Sequence, residues 1–199
     1  MVPKIVDHES RRRDIVEAVL CRIEAHGFAS VSVRNLAADL NVSPSAVRHY
    51  FSSSEQMLAS TMQVVREAQA KRLGIGVSSM KDWDVREAWL QALPLDGVRR
   101  REAVVWFSMM MATHSPDVRA VLAEANADLD HLCRVTVEKL GCRESIVIES
   151  KALRAFTDGL TLNAIADPEA FDPDLIVLAL DTYFTRITAA FAACSLKSS

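Results

Sequence analysis

Glycine and proline are scarce in this 199-residue chain, at six each, and tyrosine occurs only twice. A composition so poor in the residues that punctuate chains excludes collagen-like repeats and low-complexity linkers. No sustained alternation of apolar and polar residues marks a half-buried strand. The signatures of common enzyme sites are missing too. There is no G-x-x-x-x-G-K phosphate loop, no H-E-x-x-H metal helix and no G-x-S-x-G nucleophile turn. Asp128 and Asp130 are close in sequence, but two positions apart on a helix they point to different faces and form no acid–base pair.

Cys21, Cys133, Cys142 and Cys194 are scattered, with no C-x-x-C and no histidine at ligand spacing. They read as buried or incidental thiols in a reducing cytosol, so neither a metal nor another cofactor is expected. No apolar run approaches the roughly 18–20 residues of a membrane span, and the N-terminus has no signal-peptide core. The expectation is a cytoplasmic protein with no membrane partner.

What is present favours helix. Half the residues are hydrophobic and a quarter charged, with a net charge of −3 that excludes a generally basic nucleic-acid coat. The charge is uneven. Residues 1–73 carry ten Lys/Arg against eight Asp/Glu, and residues 74–199 carry thirteen against eighteen. A less acidic head on an acidic body turns the head toward DNA.

The stretch from Ser32 to Gln56 is the most specific. Ser32 caps a helix whose Val33, Leu36, Ala37 and Leu40 share one face. Asn41 stops it, because Asn tolerates the left-handed conformation of a C-terminal turn. Ser43 caps the next helix with Pro44 in its first position, where a missing N–H costs nothing. Val47 and Phe51 point back to a core, leaving Ser45, Arg48, His49 and Tyr50 outward as a polar, basic set. Ser53 with Gln56 forms a capping box for a fourth helix running to about Leu73. This is a helix-turn-helix, and it implies DNA binding.

From Arg12 to Leu58 the chain resembles the N-terminal domain of TetR-family transcription regulators. The resemblance is carried by RRDIVEAVLCRIEAHGF, SVRNLAADLNVS, PSAVRHYF and SSSEQML. The variant VRHYF is similar to the BetI-like branch. The second half resembles the BetI-like C-terminal domain more loosely, through AVVWFSMMMATHSPDVRAVLAEANADL and RAFTDGLTLNAIADPEAFDP. The family usually has Lys where this chain has Ser54, so a phosphate contact there is neutral and releases no counterion. Tyr50 resembles the family residue that bonds phosphate and fixes register. Arg48 suits a guanine edge, Ser45 and His49 a base edge or phosphate, and Arg34 a phosphate clamp, with Ser43 and Pro44 at the start of the helix also in the expected DNA-binding set. Arg11, Arg12 and Arg13 either solvate the first turn or form an arm reaching phosphate or minor groove.

The whole reads as all-α with about nine helices: a first near Asp7 or His8, the helix-turn-helix pair, the fourth, then spans near 83–93, 98–113, 116–140, 144–166 and 173–194. LGIGVSSMKDW is the expected junction. The domains expected are a DNA-binding domain at 1–53, a connecting helix at 54–73 and an effector-binding and dimerisation domain at 74–199. Trp106, Met110 and His114 recur at helical spacing; with Trp89, Phe107, Met109 and Phe156 they line an effector pocket or form plain core. Asn126 and Asp130 are either polar pocket groups or surface. The family's body carries an effector cavity, and its last two helices pair across a two-fold axis. That resemblance assigns Leu153, Gly159, Leu160, Ala179, Tyr183 and Ile187 to a homodimer interface. The expected function is a repressor released from a palindromic double-stranded DNA operator by a small, mostly apolar or cationic effector. A constitutive or architectural DNA-binding protein is the alternative, and an all-α enzyme a lesser one.

Overall fold

Local hydrogen-bonding signals set most of the helix ends. A computed structural model describes residues 8–73, 84–112 and 115–197. Nine α-helices are described: α1 (His8–His26), α2 (Val33–Asp39), α3 (Pro44–Tyr50), α4 (Ser54–Leu73), α5 (Val85–Ala92), α6 (Gly97–Ala112), α7 (Pro116–Lys139), α8 (Ile146–Ala166) and α9 (Pro173–Lys197), with a 3₁₀ turn at Phe28–Ser30. Among the described residues there is no strand. The junction expected around residues 74–83 lies outside the described residues.

Side-chain caps start α2, α3, α5 and α9, through Ser32, Ser43, Asp84 and Asp172. Helices α2 and α7 end alike. After α2, Val42 N–H reaches Ala37 O at 2.9 Å and Asn41 N–H reaches Ala38 O at 3.1 Å. After α7, Cys142 N–H reaches Val137 O at 3.0 Å and Gly141 N–H reaches Glu138 O at 3.1 Å. Both are Schellman endings, which need a left-handed residue, supplied by Asn41 (φ 52°) and Gly141 (φ 101°).

The chain packs as two compact units: Met1–Ala68 with Val104–Ala123, and Gln69–Ala103 with Glu124–Ser199. In the first, Ile15, Val19 and Ile23 of α1, Leu36 of α2, Val47 beside Phe51, and Met57 and Met62 of α4 are buried with Val105, Met109, Val118 and Leu122. Those last four apolar residues draw parts of α6 and α7 into the unit that holds the helix-turn-helix. The grouping thus runs across the boundaries at 53 and 73 read from sequence.

In the second unit, Trp89 and Leu93 join Leu132, Cys133, Val137, Leu153, Leu160, Ile176, Leu180 and Phe184 in one core. Trp89 is 1% exposed. Its indole N–H donates to Thr136 Oγ1 at 2.9 Å, and that hydroxyl donates to Leu132 O at 2.8 Å, so no polar group there is stranded. Helix α9 corrects one expectation. By length and composition alone Pro173–Ala193 is apolar enough to cross a membrane. Yet Ile176, Leu180 and Phe184 pack into the second core, and Asp181 is paired with Arg86.

Candidate nucleic-acid interface

Short helices carry an outward side chain only as firmly as their ends are held. α2 and α3 have seven residues each, too few to stand alone, so caps and core contacts hold them. Ser32 Oγ accepts from Asn35 N–H at 3.1 Å and Ser43 Oγ from Ala46 N–H at 3.2 Å. Val47 (1% exposed) and Phe51 (0%) anchor α3 from beneath. Arg22 ties α1 to α2: its Nη1 lies 2.8 and 2.6 Å from the two Asp39 oxygens, and its Nε–H donates to Ser30 O at 2.9 Å.

The opposite face of α3 is open. Ser43, Pro44, Ser45, Arg48 and His49 are exposed, Tyr50 is half-buried, and Arg34 is exposed on α2. The Ser43 and Ser45 hydroxyls share a hydrogen bond at 2.8 Å. Ser54, half-buried, opens α4. Its capping box closes only half as expected. Gln56 N–H does reach Ser53 Oγ at 3.1 Å, but Gln56 Oε1 accepts from Ser52 N–H at 2.7 Å rather than from Ser53.

The three arginines of α1 part company. Arg11 is exposed, 3.4 Å from Asp14. Arg12 folds inward, its guanidinium 5.0 Å above the Phe51 ring and donating to Ser60 Oγ at 3.2 Å. A groove of about 220 Å³ between α1 and α4 is lined by Arg12, Arg13, Val16, Ser60 and Gln63, among others. One neighbour of the recognition helix was not picked out from sequence. His8 places its ring 5.5 Å from His49 and 5.2 Å from Tyr50. No local spacing signals that meeting, which depends on how α1 crosses α3.

Two exposed arginines and a histidine on a capped helix pair make a surface for a groove. The comparisons with known proteins agree. Residues 15–61 match the family described as bacterial regulatory proteins, tetR family, and residues 84–189 match the BetI-type transcriptional repressor C-terminal domain. The chain belongs to the TetR family. This TetR-family protein is a DNA-binding transcription regulator. It is 31% identical to the transcriptional regulator PksA of Bacillus subtilis over 183 residues, 88% of each chain. Its structure is similar to a transcriptional regulator of Rhodococcus sp. RHA1, with a TM-score of 0.78 and 26% identity over 90% of this chain and 96% of that one. A regulator of Saccharomonospora viridis solved in complex with choline shares the fold, with a TM-score of 0.71 and 19% identity over 89% of this chain and 96% of that one.

The regulator divides the residues expected at an effector pocket between its two units. Met109 is fully buried in the first core, Trp106 packs partly buried against it, and Phe107 is half-buried. Met110 is 40% exposed. Trp89 and Phe156 belong to the second, where Phe156 stacks on Tyr183 at 4.2 Å. Burial pushes the Tyr183 phenol up, and pushes the Cys133 thiol up to about 12. His114 lies outside the described residues. Asn126 and Asp130 face α8: Arg154 donates to Asn126 at 2.8 Å and Lys151 to Asp130 at 2.6 Å. Of the residues expected at a dimer interface, Leu153 and Leu160 are buried in the second core, whereas Gly159, Ala179, Tyr183 and Ile187 are half-buried.

Proposed function

We propose that the regulator is a homodimeric repressor, acting in the cytoplasm, whose two recognition helices read the half-sites of a palindromic operator. Arg48 meets a guanine edge, Ser45 and His49 a base edge or phosphate, and Arg34, Ser43, Tyr50 and Ser54 hold phosphates. The observation that carries the reading is the outer face of α8 and α9. Ile148 (71% exposed) and Leu162 (51%) on α8, with Leu175 (40%) and Leu178 (63%) on α9, are large apolar side chains that the chain's own core leaves uncovered. Monomers rarely expose large apolar surface without a partner. A second copy of the same face is the economical one, because a single module contacts too little DNA for tight binding.

A small, mostly apolar or cationic effector in the body completes the proposal. Aromatic side chains suit a quaternary ammonium, and choline, the ligand of the Saccharomonospora regulator, is the first to test. Helices α4, α6 and α7 each run from one unit into the other, which supports coupling between body and head. The full burial of Trp89 and Met109 favours a second reading, a constitutive regulator with a packed body.

One set of measurements separates these. Selection from random duplexes should return an inverted repeat bound by two chains. The double change Leu162→Glu and Leu178→Glu should give monomers in sedimentation and at least a tenfold loss on the repeat. A dimer that persists would move the interface elsewhere. Choline or tetraphenylphosphonium should lower operator affinity about 5–150-fold; binding without release would favour the constitutive reading.

A further inference from the structure

The first turn of α1 and the last turn of α3 bring two imidazoles together on the face assigned to DNA. The His8, His49 and Tyr50 rings form a closed triangle, with centroids 5.5, 5.2 and 5.3 Å apart. Both histidines are exposed, and Tyr50 beneath them is half-buried. Imidazole is the side chain that gains its charge between pH 5 and 8. Charged residues in the adjoining stretches of sequence are Arg11, Arg12 and Arg13 of α1 and Arg48 of α3, with the carboxylates Asp7, Glu9, Asp14 and Glu55. Arg11 lies 3.4 Å from Asp14, and Arg12 is spent on Phe51 and Ser60. Among the described side chains, no carboxylate is paired with either imidazole.

We propose that His8 is a further DNA-contacting residue, which forms with His49 a paired imidazole site for a backbone phosphate and couples DNA binding to proton uptake. A phosphate placed against the two rings favours their protonated forms. Binding therefore takes up protons, and affinity falls as pH rises through the imidazole range. The site also replaces part of what is lost where Ser54 stands in place of the family's usual lysine, but does so only while the rings are charged. The inference rests on the assignment of α3 to duplex DNA.

The test is fluorescence anisotropy on a random-sequence 30-base-pair duplex and on the selected repeat, from pH 6 to 8 at constant ionic strength. If phosphate holds the proton on one imidazole tenfold more tightly, affinity at pH 6 exceeds that at pH 8 about sixfold, and with both rings about 40-fold. His8→Gln should flatten the profile on both duplexes, and His8→Lys should restore binding at pH 8, with far-UV circular dichroism unchanged in each. Tight binding with no pH dependence overturns the proposal. So does a profile that His8→Gln leaves as it was. A protein that binds neither duplex at any pH would instead overturn the assignment of α3 to DNA.

Discussion

At the scale of single residues, Asp181 and Arg86 show what the fold adds to the chain. Arg86 of α5 grips Asp181 of α9 through two bonds, Nε to Oδ1 at 2.7 Å and Nη2 to Oδ2 at 2.9 Å. The hydrogen bond and charge of Arg86 hold the Asp181 carboxyl below its usual range, and Asp181 raises Arg86 in turn. Both side chains are more than a third exposed, so water screens the pair and its contribution is modest. Because the folded pKa is depressed, that contribution is present above the carboxylate's unfolded value, about 3.9, and is lost as pH falls through the lower folded one. Asp181→Asn should lower the urea midpoint at pH 7 and leave it at the wild-type value near pH 2. An equal deficit at both pH values would assign the cost to packing instead of charge. Nothing in the sequence announces this pair, since its partners lie on helices far apart in the chain.

At the scale of elements, the helix-turn-helix owes its legibility to the shortness of its bonds along the chain. Ser32 and Ser43 bond residues three positions on, and α2 ends through bonds from Asn41 to Ala38 and from Val42 to Ala37. Signals that local can be read without knowing the fold. Ser43→Ala should therefore cost about 0.5–2 kcal/mol in chemical unfolding. Asn41→Val should cost more than Asn41→Gly, because a β-branched residue resists φ 52°. Equal costs would mean that Asn41 acts through its side-chain amide and not through its backbone. The face of a long helix is harder to read. α8 and α9 are apolar on several sides, so periodicity alone did not tell that Leu153 and Leu160 turn inward while Leu162 and Leu178 stay outside. In α7, Asn126 and Asp130 stood open between pocket and surface, and the structure commits them to Arg154 and Lys151 of α8.

At the scale of the whole molecule, two compact units share three helices, α4, α6 and α7. Val105, Met109, Val118 and Leu122 are buried with the helix-turn-helix, so the DNA-binding unit is larger than the 53 residues its motif marks out. Composition could not show that boundary, because α6 and α7 are continuous and carry no break where packing changes partner. The same continuity is the covalent route by which the proposed effector in the body would act on the head. All of this serves the central claim that α3 reads DNA sequence through Arg48. Equilibrium binding of Arg48→Ala, on the selected inverted repeat and on random duplex at one salt concentration, tests it most directly. The account predicts a loss of about 1–3 kcal/mol on the repeat and a much smaller loss on random DNA. Equal losses on both duplexes, or none on the repeat, would contradict it.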